Sequence, residues 1–393
     1  MSAPSAVLAP SPPSPRSFEL KATCSHTRAR RGTLTLAHAV VETPCFMPVG
    51  TVATIKTLAT SEVAEMGYQL ILANTYHLHL RPGDDLIREH GGLHKFMAWP
   101  RAILTDSGGY QVFSLKNITK ITEEGVKFSS HLDGKKIFLT PELSMQIQAN
   151  LGSDIFMAFD ECIPYPSEES YVKAATERSF RWTKRSIEEF RRLNPPQRQF
   201  FGIVQGGMIE TWRRWSANAI IDLDPDGVAI GGLSVGEPKD LMAEVLDHTT
   251  PLLPADRPRY LMGVGTPVDI IRAVTQGIDM MDCVLPTRLA RHAHIYTSQG
   301  RLNLLNARHR KDSGPLDPAC ACSCCRTVSR AYLHHLFRSR ELLGPRLATL
   351  HNLTYYAHLM QQIRHAIPAG TLPALQSELE ALYASVSPAG DTA

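Results

Sequence analysis

The chain reads as an α/β protein, a (β/α)8 TIM barrel, on three observations. Eight short apolar runs recur along it: Cys45 to Val49, Leu70 to Asn74, Ile103 to Asp106, Ile155 to Asp160, Phe200 to Gln205, Gly227 to Gly232, Tyr260 to Gly263 and Asp279 to Asp282. Helix-sized segments such as Ser61 to Met66, Glu168 to Leu193 and Thr266 to Gln276 lie between them, the alternation of a parallel sheet flanked by helices. A length of 393 residues fits one large α/β domain plus an elaboration. In an eightfold barrel the site gathers at the C-terminal ends of the strands.

Taken in order, those strand ends are where polar residues concentrate. Asp106 opens Asp-Ser-Gly-Gly-Tyr-Gln, Asp160 follows Ile-Phe-Met-Ala-Phe, Gln205 precedes Gly206 and Gly207, Gly231-Gly232-Leu233-Ser234 follows Val228-Ala229-Ile230, and Met280-Met281 leads into Asp282. An aspartate or glycine after a strand is commonly a helix cap or a turn former. Three aspartates and an amide on one barrel face point instead to a site, because carboxylates sharing a cleft divide into an ionised nucleophile and an acid of raised pKa. The glycines let a flat ring approach the backbone, whose N–H and C=O groups can read it.

A second signal lies near the end of the chain. Cys320-x-Cys322-x-x-Cys325, with His351 further on, is a Cys3His set for zinc. The protein supplies all four tetrahedral positions, so the metal, one per chain, is expected to hold structure rather than perform chemistry. Cys324 is read as a bystander. Half of the eight cysteines fall in this cluster, which favours reduced thiols over disulfides.

The composition, 43% hydrophobic and 20% charged, is that of a soluble globular protein. No apolar run approaches the roughly 18 residues of a membrane span, and the N-terminus lacks a secretory signal, so no membrane association and a cytoplasmic location are expected. Met1 to Ser17, rich in Pro, Ser and Ala, is expected to be a disordered tail. The net charge of +3 is unevenly spread: Val284 to Arg346 carries eleven Lys/Arg against three acids, a local balance of +8, and the remainder sums to −5. A basic region beside a zinc site suggests a polyanion, most simply nucleic acid, against the alternative of a solvated charged face.

At these residues the chain resembles the queuine tRNA-ribosyltransferases, or tRNA-guanine transglycosylases, of the bacterial type. The resemblance is carried by Ala73-Asn74-Thr75-Tyr76-His77-Leu78, Asp106 to Phe113, Gly202-Ile203-Val204-Gln205-Gly206-Gly207, Gly231 to Glu237, Met262-Gly263-Val264-Gly265, Asp282 to Arg288 and the zinc ligands. It runs from about Phe18 to Ile367. It implies an irregular barrel over 18–367 with a zinc-binding subdomain at about 300–355, and tails at 1–17 and 368–393.

The implied activity, a step of queuosine biosynthesis, is exchange of guanine at the wobble position of G-U-N tRNAs, those for Asp, Asn, His and Tyr, for a 7-deazaguanine. Replacing a base with the same sugar face finally occupied calls for two inversions and a covalent sugar-enzyme intermediate. The resemblance assigns the nucleophile to Asp282 and the general acid/base to Asp106. It assigns base recognition to Asp160, Gln205, the Gly232 backbone and the Leu233 carbonyl, with Tyr110 and Met262 sandwiching the ring. Packing in the barrel is the alternative reading of those last two. Cys162 and Val235 match the pocket of members that take the aminomethyl base preQ1; queuine is the alternative. Arg288 and Arg291 would meet the anticodon loop, with affinity falling steeply as salt rises. Bacterial relatives form homodimers, and a homodimer is expected here.

Three rival readings differ in what they require. A noncatalytic partner subunit would lack an intact nucleophile and acid, and an archaeal relative acting on another tRNA position carries further C-terminal RNA-binding domains. A glycosidase or aldolase on the same barrel would leave the zinc cluster, the basic segment and the guanine-reading set unexplained.

Overall fold

The computed structural model describes residues 17–110 and 120–384. Of the N-terminal tail only Ser17 is among them, and Gln111, Val112 and Phe113 of the Asp106 motif lie outside them. In chain order, β1 (Phe18–Thr23), β2 (Arg30–Thr35) and β3 (Val40–Thr43) form an antiparallel sheet, followed by the parallel strands β4 (Cys45–Met47), β5 (Leu70–Ala73) and β6 (Ala102–Thr105). An antiparallel sheet of β7 (Lys120–Ile121), β8 (Val126–Ser129) and β9 (Lys136–Leu139) interrupts the alternation. It resumes with β10 (Ile155–Met157), β11 (Gln199–Val204), β12 (Gly227–Ile230), β13 (Arg259–Leu261) and β14 (Met280–Asp282).

The eight parallel strands are ordered β4-β14-β13-β12-β11-β10-β6-β5. The ring closes between its ends through the Val49–Leu72 bridge, where Gly50 N–H donates to Leu72 O at 2.6 Å and Leu72 N–H to Pro48 O at 3.0 Å. The eight runs expected from the sequence are these eight strands.

Both faces of the ring are buried, so the strands are apolar throughout and alternate residues serve two cores. Leu70, Leu72, Ala102, Leu104, Ala229, Tyr260 and Met280 belong to the inner core, whereas Ile71, Ala73, Ile103, Val228, Ile230, Leu261 and Met281 pack in the cluster shared with the helices. Counting on by two from the inner set reaches Asn74, Asp106, Met262 and Asp282, and from Phe201 and Ile203 it reaches Gln205. The mouth of the barrel is therefore lined by polar continuations of its own core.

Phe18, Leu34 and Val41 of the N-terminal sheet join the inner core. A buried pair bolts that sheet to the barrel. Arg30 is hydrogen-bonded to both oxygens of the fully buried Asp279 and donates to Ala255 O at 2.8 Å and Arg257 O at 2.7 Å, while Arg259 N–H donates to Asp279 Oδ2 at 2.8 Å.

After β14 come the helix Leu285–Arg291 and the hairpin β15 (His294–Thr297)–β16 (Gly300–Asn303), then short helices that complete a third apolar cluster from Ala290, Ile295, Leu304, Leu316, Leu333, Leu336 and Ala348. The helix Leu343–Ala369 belongs to both bodies, with Ala348 in this cluster and Leu353, Leu359 and Ile367 in the main one. The boundary expected at Ile367 thus falls inside a helix. Beyond it, Leu372–Ala384 is a further helix that buries Leu372 and Leu379 in the main core and joins Glu380 to Arg272 at 2.6 Å, so this part of the expected tail is structured.

No helix among the described residues is long and apolar enough to cross a membrane.

Removing one partner of a buried ion pair leaves the other uncompensated. Arg30→Ala is expected to lower the unfolding free energy by about 3–5 kcal/mol, read from urea denaturation; a loss below about 1 kcal/mol would contradict the anchoring role.

Candidate active site

The barrel mouth encloses a cavity of about 340 Å³. Asp106, Asp160 and Asp282 line it together with Gln205, Gly232 and Leu233, and Tyr110, Cys162, Val235 and Met262 complete the expected set. All three aspartates are buried, while Tyr110 is 55% exposed, leaving a ring face open at the rim.

The three carboxyl groups are held differently. Asp282 Oδ1 accepts from the Tyr260 hydroxyl at 2.6 Å and from Gly263 N–H at 2.8 Å; both bonds fall on that one oxygen. Burial raises its pKa, and those two donors act against the rise. Asp106 uses both oxygens: Oδ1 accepts from Thr75 N–H at 2.8 Å and Gly108 N–H at 3.2 Å, and Oδ2 from the Asn74 amide at 2.5 Å. Asp160 Oδ2 accepts from Gln205 Nε2 at 2.7 Å, and the Ser107 hydroxyl lies 3.4 Å from Oδ1. Burial pushes Asp160 up to about 6, against those two donors, and the charges of Asp106 and Glu161 add to the rise.

One wall is main chain. Gly232 has φ +65°, and a Cβ there would lie 2.4 Å from Gln205 Oε1, so glycine is required for both conformation and space. Glu237 accepts from Ser234 N–H at 2.5 Å and Val235 N–H at 2.9 Å. A trans peptide points its carbonyl away from its N–H, so Glu237 fixes the direction of the Leu233 carbonyl through the Ser234 N–H. Burial pushes the Cys162 and Cys283 thiols up to about 12, which keeps them neutral and unsuited to nucleophilic attack.

Away from the cavity, the ligand atoms of Cys320, Cys322, Cys325 and His351 all lie within 4.8 Å of one another, a group that can hold a metal ion. Three thiols and an imidazole so gathered fit tetrahedral zinc. His351 Nε2 sits 2.8 Å from Tyr296 O, which fixes that nitrogen as the donor and turns Nδ1 to the sulfurs. Cys324 is buried in the apolar cluster beside the group and is not part of it.

Arg288 is exposed on the helix that follows Asp282, whereas Arg291 is half-buried and donates to Thr287 O at 2.8 Å.

Sequence reasoning assigned no role to Asn74, Thr75, Tyr260, Gly263 or Glu237. Asn74, Thr75 and Gly263 stand just past strand ends like the residues that were singled out, and Tyr260, within β13, precedes Met262 by the inward period of two, so the strand pattern contained the signal. Glu237 hydrogen-bonds, among the described residues, to nearby main chain and gave none.

The family model described as "Queuine tRNA-ribosyltransferase" matches residues 24–385. Among bacterial proteins of that name, the one from Shewanella halifaxensis is 54% identical over 361 residues, covering 92% of this chain and 95% of its own. That from Lysinibacillus sphaericus is 54% identical over 366 residues, covering 93% and 96%. That from Shewanella piezotolerans is 55% identical over 355 residues, covering 90% and 93%. With identity of this order along nearly the whole of each chain, the protein belongs to the queuine tRNA-ribosyltransferase family.

Proposed function

We propose that the protein exchanges guanine at the wobble position of tRNAs with G-U-N anticodons for a 7-deazaguanine, with preQ1 as the incoming base. The convergence of Asp106, Asp160 and Asp282 on one cavity with Gln205 and Gly232 carries this reading.

In the first step Asp282 attacks the ribose C1′ through Oδ2, the oxygen that neither Tyr260 nor Gly263 engages. The C1′–N9 bond breaks, an ester forms, and Asp106 delivers a proton to the departing guanine. In the second step Asp106 takes the corresponding proton from the incoming base, whose nitrogen attacks C1′ and displaces Asp282. Two inversions restore the original sugar configuration. Asp160 as a carboxylate accepts from N1–H and the 2-amino group, and the Gln205 amide and Gly232 N–H donate to O6. The Gln205–Asp160 contact holds both groups in the cavity before the base arrives.

The nucleotide reaches the cavity turned out of a single-stranded loop, its base between Tyr110 and Met262. Arg288 and Arg291 meet flanking phosphates. Zinc on Cys320, Cys322, Cys325 and His351 holds the basic subdomain in shape. A homodimer is supported by apolar side chains left exposed on that subdomain, Tyr332, Leu342 and Leu343.

Three outcomes follow. With guanine-labelled cognate tRNA and unlabelled preQ1, wild type releases label and Asp282→Ala loses about a thousandfold or more in rate; equal release by both would sink the nucleophile assignment. Because Asp160 titrates near 6, its charge is present above that pH and lost below it, so the KM for guanine rises about tenfold per unit as pH falls below 6. Asp160→Asn flattens that profile, and a flat wild-type profile would refute the role. Stripping the metal removes a binding contribution of about 10–16 kcal/mol from the subdomain and unfolds it or abolishes tRNA binding, and Cys322→Ala, which takes away one of the four ligands, acts in the same direction. A Cys322→Ala protein that stays folded and binds tRNA normally yet does not exchange would place the metal in the chemistry.

A further inference from the structure

Arg213 is 1% exposed, on the helix Glu210–Ile221 behind the cavity wall. Its four hydrogen bonds all go to main-chain carbonyls: Nε to Gly207 O at 2.8 Å, Nη1 to Val204 O at 3.0 Å and Gly231 O at 2.8 Å, and Nη2 to Gly232 O at 3.4 Å. Burial lowers its pKa to about 10, so it stays cationic at neutral pH. A desolvated cation whose hydrogen bonds all go to neutral carbonyls, with the Glu237 carboxylate acting on it only through space, is a poor source of stability in itself. The carbonyls it chooses belong to the ends of β11 and β12, the two corners that present Gln205 and Gly232.

We infer that Arg213 is a positioning residue for base recognition, which sets the direction and donor strength of the Gly232 N–H aimed at the exocyclic carbonyl of a guanine-like base. The inference rests on the base-exchange reading above. In a trans peptide, anchoring Gly231 C=O behind the wall turns Gly232 N–H the opposite way, toward the cavity that Gly232 lines. Gly232 N–H has no hydrogen-bond partner among the described residues. A cationic donor on the carbonyl polarises the peptide and strengthens its N–H as a donor.

The same guanidinium holds Val204 C=O, while Ser216, three residues along the helix, accepts from Gln205 N–H at 3.1 Å. The Val204–Gln205 peptide is thus fixed at both edges. Lysine cannot reproduce this, because one ammonium lacks the planar fork that spans four carbonyls.

The test compares guanine with 6-thioguanine, which keeps N1–H and the 2-amino group but replaces O6 with a weak acceptor. In Arg213→Lys holoenzyme the KM for labelled guanine rises about tenfold or more, and the preference for guanine over 6-thioguanine shrinks by a similar factor. The KM for tRNA stays within about twofold, as the arginine contacts no surface. Ser216→Ala, which frees only the Gln205 edge, gives a smaller loss with the same selectivity.

Equal weakening of both bases, an unchanged guanine KM, or a fall in kcat alone overturns the inference. If Arg213→Lys does not fold, an unselective or absent effect in Ser216→Ala overturns it. Wild type that fails to exchange guanine into tRNA would instead sink the base-exchange reading itself.

Discussion

Closure of the eight-stranded ring is the constraint on which the rest depends. Once Val49 and Leu72 join its ends, every strand has both neighbours and none can slip by one residue without exchanging its inner and outer faces. The same pleat that buries Leu104, Ile203 and Met280 then fixes Asp106, Gln205 and Asp282 as inward-facing. The site is the polar end of a core whose apolar layers have already set its geometry.

What differs among the three aspartates is the company each keeps. Asp282 has two donors on one oxygen, so its other oxygen can form a bond to carbon without breaking a hydrogen bond. Asp106 is held through both oxygens by main-chain N–H groups and an amide, which suits the proposed role of a group that returns to one position after giving and taking a proton. Asp160 is paired with an amide and lies in the field of Asp106 and Glu161. In the proposed exchange its tendency to hold a proton is relieved when N1–H and an amino group arrive. In the proposed exchange one residue type thereby fills three roles through environment alone.

The eight strands and the Cys3His cluster were legible because each follows a local rule, a short apolar run or a fixed ligand spacing. The N-terminal sheet was missed: β1 is Phe-Glu-Leu-Lys-Ala-Thr, whose buried residue is Phe18 alone, so it carries little alternation to read. The C-terminal helix was missed because it is anchored by two buried leucines. Arg213 shows the limit most clearly. Arg214 beside it is exposed and paired with Glu210 at 3.1 Å, and nothing in Trp-Arg-Arg-Trp says which arginine turns inward. That is decided by four carbonyls at the ends of β11 and β12, brought together only by the fold. The aspartates were legible as a group because strand ends converge in any such barrel, whereas their individual roles came from family resemblance.

The metal subdomain reaches the site through a short physical path. His351 offers Nδ1 to the sulfurs, and its neighbour Asn352 donates to Pro286 O at 3.0 Å and His294 O at 3.1 Å while accepting from Tyr296 N–H at 3.1 Å. Pro286 opens the helix that begins three residues after Asp282. Tyr296 is the residue whose carbonyl orients His351. The Cys3His cluster, the hairpin and the helix after Asp282 are therefore joined through two adjacent residues of one buried helix turn. Loosening the ligand set would release Asn352 and with it the start of the helix that carries Arg288 and Arg291. The coupling acts first on where the basic face stands relative to the cavity. Asp282 itself remains fixed by Tyr260 and Gly263, which belong to the barrel.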